Sequence, residues 1–198
     1  MEYMTHLEKD RKLAKTLVEA LPELQLHKNI PLRLMASIMS QQLSTKVAKV
    51  IFNRFLAIYN GKEPNPLQVL ETPAPVLRAI GLSNNKVGYI HNVVNFCIEH
   101  KITDKKIQKM DNDAIIELLT QIKGVGKWTV AMLLMFSLGR EDVFAVDDLG
   151  IQQAMIKLYK LDSVDKKAMK EKMLSLSAKW SPYRTYACLH LWQWKDDK

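Results

Sequence analysis

The stretch from Leu119 to Leu149, LTQIKGVGKWTVAMLLMFSLGREDVFAVDDL, limits this chain more than any other. Two apolar helical runs meet at Gly124-Val125-Gly126, and paired carboxylates, Asp147 and Asp148, follow. The first run, opened by Asn112 or Asp113 as cap, carries Ile115, Ile116, Leu118, Leu119 and Ile122 on its apolar face. The two glycines permit a tight turn and the close approach of another backbone. A second helix then starts near Lys127, and its first amides have no acceptor inside the helix. Such a helix start, beside Lys123 and Lys127, suits an anion and above all a phosphate. Asp148 comes 22 residues after Gly126, where a third helical run begins.

The rest of the chain repeats the helical pattern. Leu7, Leu13, Leu17 and Leu21 predict a helix over 6–21 that ends at Pro22. Pro31 opens one that runs to about Ser40, and Ser44 caps the next, with Val47, Val50, Ile51, Phe55 and Leu56 on one face. Further helices are expected near 67–71, from Pro73 and Pro75 to Gly81, and over 84–98 behind a Ser83 cap. Others follow near 112–119, 126–138, 148–159, 164–179 and 182–194. Strand alternation is absent, so the fold class is all-α.

Charge narrows the partners. Twenty-nine Lys and Arg against 21 Asp and Glu give +8 and a pI near 9.4. This favours a polyanion, most simply nucleic acid, although a basic but inert surface would give the same balance. The two cysteines, Cys97 and Cys188, sit in apolar helical contexts and read as buried free thiols of a reducing compartment. No apolar run reaches membrane-span length, and the charged N-terminus has no signal-peptide core, so no membrane role is expected.

Four stretches together resemble one family. They are IKGVGKWTVAMLL, DVFAVDDLGIQQA, MASIMSQQLSTKVA at residues 35–48 and WSPYRTYACLHLW at residues 180–192. The likeness is to the helix-hairpin-helix DNA glycosylase superfamily, in particular its alkylated-base branch, the 3-methyladenine DNA glycosylase II type. It spans residues 35–192. The resemblance implies two helical lobes with DNA at the cleft between them: lobe one about 31–120, lobe two about 1–30 plus 121–198, and the hairpin about 112–138. It implies a monomeric base-excision-repair enzyme acting on double-stranded DNA that contains damaged bases. The enzyme would flip out alkylated purines such as 3-methyladenine and 7-methylguanine, hydrolyse the glycosidic bond and leave an abasic site. The expected compartment is intracellular: the cytoplasm or nucleoid of a bacterium, the nucleus of a eukaryote.

The same resemblance assigns roles. The hairpin residues Gly124, Val125, Gly126, Lys127 and Thr129 would grip a phosphate through backbone amides and the Lys127 charge. Gln42, with Gln41 beside it at an interhelix tip, would fill the gap left by the extruded base; solvated glutamines at a helix end are the plain alternative. Asp148 would stabilise positive charge on the sugar and orient or deprotonate water. Asp147 is then the expected N-cap, though an isolated Asp pair often does no more than cap a helix. Trp128 and Trp192 would face the cationic base, with Met132 in place of an aromatic residue found in some relatives; tryptophans at helical spacing are also ordinary core. Trp180 and Trp194 read as packing or rim, and Tyr183 and Arg184 as structural or rim.

No cofactor is required under this reading. A structural Na+ or K+ on the carbonyls of Thr120, Ile122 and Val125 is compatible with it, and two cysteines cannot hold an iron–sulfur cluster. Two rival readings remain. A bifunctional glycosylase/lyase for oxidised bases needs a lysine where Trp128 stands, and Lys127 would point about 100° away. A non-catalytic helix-hairpin-helix module would bind DNA only.

Overall fold

The computed structural model describes residues 1–196, apart from the Thr45 side chain. The elements among them are helical: α1 (Glu2–Leu7), α2 (Ile30–Ser40), α3 (Thr45–Ile58), α4 (Pro66–Leu70), α5 (Ala74–Ala79) and α6 (Asn84–Glu99). Then come α7 (Asp104–Gln108), α8 (Asn112–Leu119), α9 (Lys127–Phe136), α10 (Leu149–Tyr159), α11 (Lys166–Ser177) and α12 (Arg184–Asp196). Two short 3-10 helices span Leu13–Thr16 and Ala178–Trp180. No strand occurs among the described residues, in keeping with the all-α pattern.

The chain divides into two units, residues 26–133 in one, and residues 1–25 with those from 134 onward in the other. The division falls inside α9 rather than near residue 120. The hairpin belongs with 26–133 because that unit holds it: Asn92 donates to the Lys123 carbonyl at 3.0 Å, and Gln41 donates to Thr129 Oγ1 at 3.1 Å.

In the 26–133 unit, α2 is the central helix and packs against α3 and α6, with α4 also on α6. Ile30, Leu32, Leu34, Met35, Ile38 and Met39 are all essentially inaccessible, so α2 has almost no free face. Burying each such side chain stabilises the fold by roughly 1.5–3 kcal/mol. Asn29 caps α2 by accepting the Leu32 amide proton, and Asp104 accepts the amides of Asn29 and Ile30 at 2.9 and 3.0 Å. Ser44 and Ser83 cap α3 and α6 as their sequence positions suggest. The cap of α8 is Asp111, not Asn112 or Asp113. Helix α7, capped by Thr103, was not expected from the sequence pattern.

In the other unit, α10 packs on α12. Its N-terminal segment corrects the expectation of one helix over 6–21. After α1 the chain turns at Asp10, whose Oδ1 accepts the amides of Lys12 and Leu13 at 3.0 and 3.2 Å. Its Oδ2 accepts the Tyr159 hydroxyl at 2.8 Å and the Trp180 indole N–H at 3.2 Å. A side chain that captures the backbone amides ahead of it starts a new element and ends the old one. Trp180 is accordingly core, 1% exposed. Both cysteines are free and buried, one in each unit, and burial pushes each thiol up to about 12.

Candidate functional site

Asp148 stands at the N-cap of α10 in extended backbone, φ −77° and ψ 126°. Its Oδ1 accepts the Ile151 amide at 2.9 Å and the Trp192 indole N–H at 2.8 Å. The structure therefore gives Asp148 the cap that the sequence assigned to Asp147. Asp147 instead forms a surface ion pair with Lys170 at 2.6 Å. Only one of two adjacent residues can have its side chain reach back to the third helical amide, and the later one sits next to Leu149. Two donors on one oxygen fix the orientation of the carboxylate.

Trp192 lies on α12, half-buried. Gly150 lets it approach: a Cβ at that position would stand 3.0 Å from Trp192 Cδ1 and 3.1 Å from Asp148 Oδ1. Phe136, absent from the sequence-based site, stacks on Trp192 with ring centroids 5.9 Å apart and planes 28° apart. It is 48% exposed, so part of its ring face is open to solvent. The sequence signal was weak, because Phe136 ends an apolar run that reads as core. At the segment that enters α12, Arg184 donates to Asp142 through Nε at 2.5 Å and Nη2 at 3.0 Å, and Ser181 adds a third bond at 2.8 Å. Burial opposes the Asp142 charge, but the bonds and charge of Arg184 with the Ser181 bond outweigh it and hold the carboxyl below its usual range. Arg184 is thus a structural clamp on the segment that enters α12. Trp194 packs under Lys157, whose ammonium lies 5.0 Å from the ring centre.

In the 26–133 unit the hairpin turns at Gly124, with φ +102°. A Cβ there would lie 2.3 Å from Tyr89 Cγ, so both the left-handed backbone and the contact require glycine. A Cβ on Gly126 would meet nothing within 4 Å. Internal packing therefore does not require glycine at this position. Val130 donates to the Gly126 carbonyl at 3.1 Å, and the amides that precede it lie at the N-terminal end of α9. Lys127 is exposed beside them, while the side chains of Val125 and Thr129 are buried.

Gln41 ends α2, and Gln42 occupies the tip at φ 60°, exposed. The two amides do different things. Gln41 turns inward and donates to the Gly124 carbonyl at 3.4 Å and Thr129 Oγ1 at 3.1 Å. Gln42 is the outward residue. Trp128 and Met132, one turn apart on α9, are each half-buried. Of the carbonyls expected to hold a monovalent cation, that of Ile122 accepts the Val125 amide at 2.9 Å and keeps a second lone pair. Among the described residues no cluster of His, Cys, Asp or Glu could hold a metal.

The class that this hairpin and capped aspartate define is matched by family comparison. Residues 35–179 match the HhH-GPD superfamily of base excision DNA repair proteins, and the chain belongs to that family. It is 36% identical over 186 residues to DNA-3-methyladenine glycosylase 1 of Schizosaccharomyces pombe, covering 92% of this chain and 80% of that protein. A solved structure of a Schizosaccharomyces pombe 3-methyladenine DNA glycosylase in complex with abasic DNA superposes with a TM-score of 0.86. The match is 34% identical and covers 98% of this chain and 96% of that one. A DNA-3-methyladenine glycosidase from Bacillus halodurans gives a TM-score of 0.80 at 33% identity, covering 98% and 88%. No helix among the described residues is long and apolar enough to cross a membrane.

Proposed function

We propose that this protein is a monofunctional DNA N-glycosylase that removes alkylated purines from duplex DNA. The observation that carries the proposal is the Asp148 carboxylate, fixed at the start of α10 by two donors and flanked by the Trp192–Phe136 pair. A 3-methyladenine or 7-methylguanine base carries positive charge, which an indole face attracts by roughly 0.5–2 kcal/mol. The bond between C1′ and the base nitrogen breaks with its electrons going to the base, which leaves neutral. The charge passes to the sugar, where Asp148 stabilises it. Water adds to C1′, its proton passes to the carboxylate or to solvent, and an abasic site remains. Trp128 and Met132 are the further proposed base contacts. The amides around Gly126 and the Lys127 ammonium hold a phosphate, and Gln42 enters the vacated stack. No cofactor takes part; the carbonyls of Thr120, Ile122 and Val125 would hold a structural Na+ or K+, adding positive charge next to the phosphate. Its place is with cellular DNA, in nucleoid or nucleus according to source.

The test is release of free base from heavily methylated duplex DNA, with products separated by chromatography. The native protein should release methylpurines. Asp148→Asn should lose on the order of a hundredfold or more in rate while still binding DNA. Binding without any release by the native protein would reduce it to a DNA-binding module. Borohydride should trap no covalent adduct, since a Schiff base needs an amine and the family's lysine position holds Trp128. An adduct lost in Lys127→Ala would establish a lyase instead.

A further inference from the structure

Helix α6 carries three residues on one stripe, Lys86, Tyr89 and Asn92, spaced three apart. Each holds a different part of the tip and hairpin of its own unit. Lys86 Nζ donates to the carbonyls of Met39 and Gln41 at 2.9 and 2.8 Å, closing the C-terminal end of α2 just before the Gln42 tip. Tyr89 fills the space that Gly124 leaves open. Asn92 donates to the Lys123 carbonyl at 3.0 Å, on the chain entering the glycine turn. From the other side Gln41 joins the tip to the hairpin through Gly124 and Thr129. These contacts form a closed ring: α6 to tip, tip to hairpin, hairpin to α6.

Such a ring has a physical consequence. Gln42 sits in left-handed backbone at φ 60°, in a turn closed by the Leu43 amide on the Ser40 carbonyl at 3.1 Å. The Lys86 ammonium braces that turn by donating to the Met39 and Gln41 carbonyls at its start. Lys86 is half-buried, and burial lowers its pKa from the ordinary lysine value, a cost that the two carbonyl bonds offset.

We propose that the Lys86–Tyr89–Asn92 face of α6 is a rigid spacer that fixes the Gln42 tip relative to the phosphate-gripping hairpin, so that backbone grip and base extrusion act as one step. Lys86 and Asn92 are positioning residues in this scheme and touch no substrate. The inference rests on the roles proposed above for Gln42 and the hairpin. It differs from a general stabilising role in what it predicts. A loose spacer should spare the grip, spare the chemistry on a base that is already unstacked, and fail where the duplex resists opening.

The experiment uses the full chain with Lys86→Met, which keeps the length of the stem and removes the donors, and separately Asn92→Leu. Single-turnover release is measured for the same methylpurine in a well-paired and in a mispaired duplex. Release from the paired duplex should fall by about tenfold or more and from the mispaired one by less than about threefold, because extrusion is cheapest where pairing is already poor. Affinity for undamaged duplex should stay at the native value. Equal losses on both duplexes, or no loss on either in both variants, would overturn the proposal.

Amide hydrogen exchange gives a readout independent of catalysis. In the native protein, undamaged duplex should slow exchange at the hairpin amides 124–129 and also at the tip amides 41–44. In Lys86→Met the hairpin should remain protected and the tip should not. If the native protein releases no base yet shows this coupled protection, the glycosylase reading fails and the spacer stands. A native tip that ignores DNA while the hairpin is protected refutes the spacer alone.

Discussion

Gly150 illustrates how little space the residue scale allows. The contact distance a Cβ would make with Trp192, 3.0 Å, is a few tenths of an ångström too short. Gly150→Ala must therefore press on the indole that donates to Asp148, although alanine improves helix propensity by up to about 1 kcal/mol. The expected result is a melting temperature at or modestly below the native one, since overpacking costs about 1–3 kcal/mol, with single-turnover release lower by roughly tenfold, as small displacements of an oriented group cost that much. Trp192→Phe removes the donor and keeps a ring face; its release rate should fall with little change in affinity for undamaged DNA. Native rates in both variants would show that the indole bond does not orient Asp148. Asp147→Asn loses only an exposed ion pair, worth about 0–1 kcal/mol, and should release base at the native rate.

At the scale of elements, the segment around Asp10 shows where sequence reading stops. Helices α3, α6 and α10 follow from local signals: an apolar face and a Ser or Asp within three residues of the amide it caps. Asp10 ends the expected N-terminal helix by capturing the amides of Lys12 and Leu13, and its other oxygen is held by Tyr159 and Trp180, 149 and 170 positions away, to which no local pattern points. The same holds at the site. The order of hairpin, tip and aspartate was legible, whereas the Trp192–Asp148 bond spans 44 positions and the Lys86 cap spans 45 to the Gln41 carbonyl. Such pairings are set by helix packing, which periodicity does not encode. Burial opposes the Asp10 charge, but bonds from Tyr159, Trp180 and the amides of Leu13 and Lys12 outweigh it and hold the carboxyl below its ordinary value. A lowered folded-state pKa contributes stability that is complete above the unfolded carboxyl value of about 3.9 and is lost as pH falls through the lowered one. Asp10→Asn should cost roughly 1.5–3 kcal/mol near neutral pH, the scale of hydrogen bonds to a charged group. Its urea midpoint should then fall less steeply than the native one below about pH 4. Parallel acid limbs would place the native pH dependence on other carboxyls.

For the whole molecule the governing quantity is the +8 charge, 29 cationic against 21 anionic side chains. Exposed lysines occur in both units, Lys46, Lys49, Lys105 and Lys109 in one and Lys166, Lys167 and Lys172 in the other. A spread charge of this kind steers association with DNA from any side but holds it only where amides and ammonium groups meet phosphates directly. The distinction is measurable, because each neutralised phosphate contributes about −0.9 to the slope of log affinity against log salt on duplex DNA. Lys127→Ala removes the ammonium beside the bare Gly126 turn and should weaken binding to undamaged duplex across all sequences, reducing the magnitude of that slope by about 1. Lys172→Ala, on α11, removes the same unit of net charge and should leave the slope at the native value. The pair separates two physical accounts. If only Lys127→Ala changes the slope, the hairpin is where phosphate is held. If the two variants lower it equally, affinity comes from the overall field of the protein, and the first turn of α9 has no special claim on the DNA backbone.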